Sequence, residues 1–297
     1  MDDDLSLASR LGWEQLVSYQ TINGHKIAVA QQRAETAAHR PLLLLHGFPT
    51  CTWDFYKIWP QLAEGRTLIA PDFLGFGLSD KPKGHIYSIA EQADICEAVL
   101  AEANAADIDV LAHDYGTTVA QELLARQREG TAKLAINRTI FLNGGILPEG
   151  HRPRPIQHLL AGPLGPLVSK LLSKDRFKRS FSAVFGPNTQ PVDAELNMLW
   201  DFMTENDGHR VMHRLLRYMA ERAANRARWV PPILEPDIPL LIINGHLDPV
   251  SGKHLIDAYR ALGGKAEIVD MPDVGHYPQL EAPEAVKASV LTFLGQP

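Results

Sequence analysis

Four short runs of this chain, "PLLLL", "TLIAP", "IDVLAH" and "IPLLIING", are apolar almost without a break. A strand with one wet face alternates apolar and polar residues, whereas a continuous run fits a strand covered on both faces. Between two of these runs lies "IAEQADICEAVLAEA", with apolar residues at Ile89, Ala93, Cys96 and Leu100 in helical spacing. Strand and helix therefore alternate, which predicts an α/β fold: a mostly parallel sheet with helices on both faces. "QTINGHKIAVAQQ" adds a hairpin turned at Asn23-Gly24, and "LAINRTIFLNGG" a further strand. From Leu147 to Ile233 the pattern changes to Pro, Arg and Leu with no buried-strand run. This segment reads as a helical cap, 147–233, inserted into a core domain made of 1–146 and 234–297. "HRPRPIQ" at its entrance reads as a hinge or exposed edge, because its prolines discourage regular pairing.

The bulk properties narrow the function. The 297 residues are 45% hydrophobic, enough for a large core. The 29 basic and 35 acidic residues read as spread along the chain, with no basic stripe, so nucleic acid is not an expected partner. Cys51 and Cys96 form neither a disulfide framework nor a metal motif and read as small buried hydrophobes. "MDDDLSLASR" has no apolar signal region and no long apolar run exists, so no membrane association and a cytoplasmic location are expected. The oligomeric state is left open.

The chemistry is carried by "VLAHDYGTTVAQELL". A strand runs into Ala112-His113-Asp114-Tyr115-Gly116 and out into a helix, the pattern of a nucleophile elbow. Small residues two before and two after the tip permit the tight turn that holds the middle side chain above the sheet. That side chain is Asp114. His46-Gly47-Phe48-Pro49 directly follows an apolar strand, where the loop would supply an oxyanion-hole N–H from Phe48, with Tyr115 N–H as the second donor. "PDFLGFGLSD" gives a glycine-rich loop after the next strand. Asp248 follows "LLIINGHL", and His276 stands in "DVGHYPQLE". The order Asp114, Asp248, His276 is nucleophile, acid, histidine, although "LDPV" is also an ordinary turn sequence. His46 reads as a brace of the oxyanion loop, and His113 as a residue packed beside the elbow.

Together these motifs resemble the α/β-hydrolase superfamily, and the aspartate places the likeness in its epoxide hydrolase and haloalkane dehalogenase branch. A closer likeness, to the mesoderm-specific transcript hydrolase family, rests on "HDYG" with "VAQELL", "NGGILPEGHRP", "VFGP", "RWV", "LDPV" and "GHYPQLE". The resemblance covers nearly the whole chain and supplies no substrate.

A serine suits attack on a carbonyl and needs a neighbouring base. An aspartate carboxylate needs no such activation and can displace a leaving group from saturated carbon, forming an alkyl-enzyme ester. A water activated by His276 would then hydrolyse that ester, with no metal or organic cofactor. The expected substrate is a small apolar epoxide or alkyl halide. Dehalogenases of the branch carry tryptophan after the nucleophile and often asparagine after His-Gly. Here Tyr115 and Phe48 stand there, which tilts the reading towards an epoxide; His-Gly-Phe-Pro is also the epoxide hydrolase form of the loop. Trp53, Trp200 or Trp229 would have to replace the missing halide donors. The branch's Asn-Trp-Tyr-Arg signature is replaced by "RARWVPP", leaving Tyr218 as the cap's candidate proton donor. Fluoroacetate dehalogenases share His-Gly-Phe-Pro but carry arginine after the aspartate; Arg152 and Arg154 read as solvated surface residues. A haloalkane or haloacid dehalogenase with an atypical halide site is the alternative, and a low-turnover binding or regulatory protein the third. Leu, Phe, Met and Trp in the cap predict an apolar pocket.

Overall fold

The computed structural model describes residues 6–295, so the first five residues of the acidic N-terminal stretch lie outside the described residues. Eight strands form one sheet: β1 (Val17–Ile22), β2 (His25–Gln32), β3 (Leu42–Leu45), β4 (Leu68–Pro71), β5 (Asp107–His113), β6 (Ala135–Leu142), β7 (Leu240–Gly245) and β8 (Glu267–Met271). Their order is β1-β2-β4-β3-β5-β6-β7-β8. From β4 to β8 all neighbours are parallel, while β2 is antiparallel to both β1 and β4.

The continuous apolar runs take the central positions. β3, β4 and β7 are buried at every residue, and β5 at every residue after Asp107. β8 pairs on one side only and is half exposed. The β1–β2 hairpin turns at Asn23 and Gly24, both with positive φ (53° and 80°). A two-residue turn of this kind matches the twist of the strands, and glycine reaches the conformation without steric cost. Helix Ile89–Glu102 starts where the Ser88 side chain accepts the Glu91 N–H, and helix Tyr115–Glu129 ends at Gly130 with φ 71°. Cys51 and Cys96 are free and buried.

Between β6 and β7 the described residues form helical segments and no strand. Pro155 opens the first of them, Pro155–Ala161, so "HRPRPIQ" leads into a helix rather than along a sheet edge. The expected boundary at residue 233 falls inside the short helix Pro231–Leu234. The end of this insertion is fastened to the core at helix Tyr115–Glu129: Trp229 Nε1 donates to Glu122 at 2.7 Å, and Gln121 donates to the Trp229 carbonyl at 3.1 Å.

Candidate active site

β5 delivers Asp114 onto a backbone conformation that few non-glycine residues adopt, φ 44° and ψ −104°. Such a conformation costs on the order of 1–3 kcal/mol and persists only where its surroundings hold it. Here the Asp114 N–H donates to the Asn143 carbonyl (3.0 Å), and the Asp114 carbonyl accepts from Thr117 Oγ1 (2.7 Å) and Arg222 (3.3 Å). The small neighbours are required by packing. A methyl group on Gly116 would lie 2.4 Å from the Leu45 carbonyl oxygen, and one on Gly47 would lie 2.6 Å from His113 Nδ1.

The turn aims the Asp114 carboxylate at the loop after β3. Phe48 N–H donates to Oδ2 at 2.9 Å, while Oδ1 lies 3.8 Å from His276 Nε2. His276 Nδ1 donates to Asp248 Oδ2 at 2.7 Å. Asp248 also accepts from the Val250 and Ser251 amides, the Ser251 hydroxyl and the Asn143 side chain. Burial opposes its charge, but the facing His276 and these donors hold its carboxyl well below the usual range. For His276, burial again works against the charged form and is outweighed by Asp248, then Asp114 and Glu281, which push the imidazole up to about 9. His276 is thus held between Asp248 and Asp114, a setting that favours the charged form of the imidazole.

That shift has a signed consequence for stability. The folded value lies above the unfolded value of about 6.5, so the contribution is complete below that pH and is lost as pH rises through about 9. We expect the stability difference between wild type and His276→Gln to shrink by on the order of 3 kcal/mol between pH 6 and pH 10, read from urea unfolding. A constant difference across that range would contradict the assignment.

His46 is buried beneath the loop, with Nδ1 facing the Gly47 carbonyl at 2.9 Å and Nε2 accepting the Phe73 N–H at 3.0 Å. It ties the loop after β3 to the one after β4. His113 places Nε2 2.8 Å from the His276 carbonyl, and burial pushes it down to about 3, so it is a neutral brace of the histidine loop. Tyr115 contributes the first N–H of its helix, while its ring packs among Phe73, Phe76 and Tyr218.

An apolar cavity of about 420 Å³ opens above Asp114, walled mainly by the inserted helices. His276, Phe48 and Tyr277 reach its wall; Tyr218 and the three candidate tryptophans do not. The indole N–H of Trp53 is committed to the Leu7 carbonyl and that of Trp229 to Glu122, while Trp200 packs behind Phe177. The three tryptophans, candidates for a halide site, thus lie off the cavity wall. Tyr218 is buried against Tyr115 and Phe48, and its hydroxyl has no hydrogen-bond partner. Arg222 lies over its ring, 4.5 Å from the centre. Arg154 also differs from its surface reading, since it lines the cavity and donates to the Ser180 carbonyl at 2.8 Å.

Three supporting residues escaped the sequence reading. Asn143, at the end of β6, bonds both Asp248 and the Gly245 backbone. Buried Arg222 donates to Thr118 Oγ1 at 2.6 Å and to the elbow carbonyl. Glu281 accepts from the backbone of Gly186, Gly275 and Tyr277 and from the Thr189 hydroxyl, clamping the histidine loop to the insertion. Each bond to a charged acceptor is worth about 1.5–3 kcal/mol, though the contributions overlap. Glu281→Ala is expected to cost about 2–4 kcal/mol in chemical unfolding and to lower kcat more than it raises KM. An unchanged unfolding midpoint would contradict this role.

Among the described residues one cluster, His25, His85 and Glu91, brings metal-ligand atoms within 4.8 Å of one another; it includes no triad member.

A model of the "Alpha/beta hydrolase family" matches residues 42–288. The chain is 40% identical over 254 residues to "Putative hydrolase LipZ" of Mycobacterium tuberculosis, covering 85% of this chain and 88% of that one. It is 40% identical over 294 residues to the mesoderm-specific transcript homolog protein of Homo sapiens, covering 95% and 87%. Among solved structures, the haloalkane dehalogenase DbeA-M1 loop variant from Bradyrhizobium elkanii superposes with a TM-score of 0.78 at 19% identity, over 94% of this chain and 96% of that one. At that identity the likeness concerns the fold.

Proposed function

The chain belongs to the alpha/beta hydrolase family, and we propose that it hydrolyses a small apolar epoxide through an ester on Asp114. The observation that carries this reading is an aspartate at the tip of the elbow, one oxygen on the Phe48 N–H and the other facing His276. Oδ2 is held where an oxyanion would form, which leaves Oδ1 to attack. Oδ1 bonds to an epoxide carbon, the ring C–O bond breaks, and the alkoxide takes a proton. Esterification removes the Asp114 charge, one of the influences that raise His276. The imidazolium then yields its proton more readily, replacing the one that the alkoxide took from its donor, and the neutral imidazole becomes a base. His276 takes a proton from water, the hydroxide adds to the Asp114 carboxyl carbon, and the Phe48 and Tyr115 amides hold the oxyanion. On collapse the proton of the added hydroxyl passes to the departing alkoxide, which releases the diol and restores the carboxylate, while His276 keeps the proton it took from water.

Among the described residues no tryptophan lines the cavity, which favours a protonated leaving group over a solvated halide. Tyr277 replaces Tyr218 as the proposed proton donor, because it lies on the cavity wall and Tyr218 does not; its hydroxyl, donated to the Phe48 carbonyl at 3.4 Å, has to turn from that acceptor to serve the alkoxide. Burial raises the Tyr277 phenol well above its ordinary range, keeping it protonated. Tyr277→Phe is expected to slow ring opening about 10²-fold, with Tyr218→Phe close to wild type; the reverse ranking in single-turnover assays would refute the assignment. The proposal as a whole is tested on parallel panels of apolar epoxides, haloalkanes and activated esters. Diol formation that disappears in Asp114→Ala is expected. Halide release without diol formation would favour dehalogenation, and ester turnover surviving in Asp114→Ala would remove Asp114 as nucleophile.

A further inference from the structure

We propose that the rim of the cavity is a docking face for an anionic lipid surface, from which the enzyme takes its substrate. Four leucines, Leu159, Leu164, Leu167 and Leu171, are 45–59% exposed within thirteen residues of sequence, on or beside helices Pro155–Ala161 and Gly165–Lys170. Exposed apolar residues scattered singly carry no message, but a group of them does. Leu159 and Leu171 also line the cavity above Asp114. The exposed apolar face is therefore continuous with the cavity interior, and a lipophilic molecule passing between them stays out of water.

Charge identifies the occupant. Residues 152–179 hold seven cations and one acid, a charge of +6, whereas the rest of the chain holds 22 cations and 34 acids, a charge of −12. The charges are thus strongly polarised, contrary to the even spread read from the sequence. Arg152, Lys170, Arg176 and Arg179 are exposed and form no salt bridge with another described residue, and Arg176 joins the leucines on the cavity rim. Leucines flanked by unpaired cations match a surface that is apolar below and anionic above, the geometry of an interfacial amphipathic segment. No helix among the described residues is long and apolar enough to cross a membrane, and this mode of attachment requires none. The docking face does not depend on which bond Asp114 helps to break.

The test is co-sedimentation of the full chain with phosphatidylglycerol vesicles and with phosphatidylcholine vesicles. Binding to the anionic vesicles, weakened by salt, is expected. The exposed pair Leu164→Ser and Leu167→Ser should weaken it at least about tenfold, while turnover of a short water-soluble substrate stays unchanged. Lys170→Glu with Arg179→Glu should abolish the preference for anionic over neutral vesicles. Absence of binding, or binding indifferent to both pairs of substitutions, would overturn the proposal. So would dimerisation in sedimentation velocity that the leucine substitutions abolish, since the face would then belong to a second copy. Vesicle binding in the absence of epoxide turnover would retain the docking face and reject only the catalytic reading.

Discussion

His276→Gln is expected to stall the enzyme after its first half-reaction, with one equivalent of substrate left covalently attached to Asp114. Glutamine approximates the length of histidine but cannot take a proton from water, so the ester forms and is not hydrolysed. The phenotype should be a stoichiometric burst followed by turnover reduced at least about 10⁴-fold. Intact-protein mass spectrometry reads both the trap and the type of substrate. An epoxide opens without losing atoms, so the adduct mass equals the whole substrate after protonation of the alkoxide. A halide departs, so its adduct equals the substrate less the hydrogen halide. A variant that is inactive yet carries no adduct would place His276 in the first half-reaction and contradict the proposed division of labour. The geometry supports that division: Nδ1 is engaged by Asp248 at 2.7 Å, leaving Nε2 turned to Asp114 3.8 Å away.

Asp114→Ala is expected to lose at least about 10⁴-fold in kcat/KM and to show neither burst nor adduct. This substitution removes the acceptor of the Phe48 N–H as well as the nucleophile, but it also relieves a carboxylate buried at the elbow. Stability is therefore expected to change much less than activity, and the variant should still bind substrate. Circular dichroism and urea unfolding separate the two effects. An Asp114→Ala protein that retains both its fold and its hydrolysis of epoxides would require a different nucleophile.

How much of this could be read from the sequence depends on how local each signal was. Asn23-Gly24 specifies its turn by itself, and "PLLLL" and "LLIING" fit strands covered on both faces, as they are found. The elbow shows in the sequence through the spacing of Ala112, Asp114 and Gly116, although what demands the glycine is the distant Leu45 carbonyl. The pairing of β2 against β4 was not legible, since it joins segments about forty residues apart through backbone bonds that no side-chain pattern encodes. The same limit hid Arg222, which reaches the elbow from 108 positions away, and Asn143, which reaches Asp248 from 105. A tryptophan or tyrosine in the insertion shows its chemistry in the sequence but not the direction of its ring. Trp229 turned out to face Glu122, and Tyr277, beside the histidine, stands on the cavity wall where Tyr218 was expected. The basic segment 152–179 was legible in principle; averaging over the whole chain concealed it.

The central claim is that Asp114 becomes an ester and that water attacks its carboxyl carbon. A single turnover in ¹⁸O-labelled water, with enzyme in excess over epoxide and the Asp114 peptide weighed afterwards, tests it directly. The account predicts one heavy oxygen in Asp114 and a first-turnover diol that carries none, because its new oxygen comes from the protein. Heavy oxygen in the diol with Asp114 unlabelled would mean that water attacks the substrate directly, and would contradict the account.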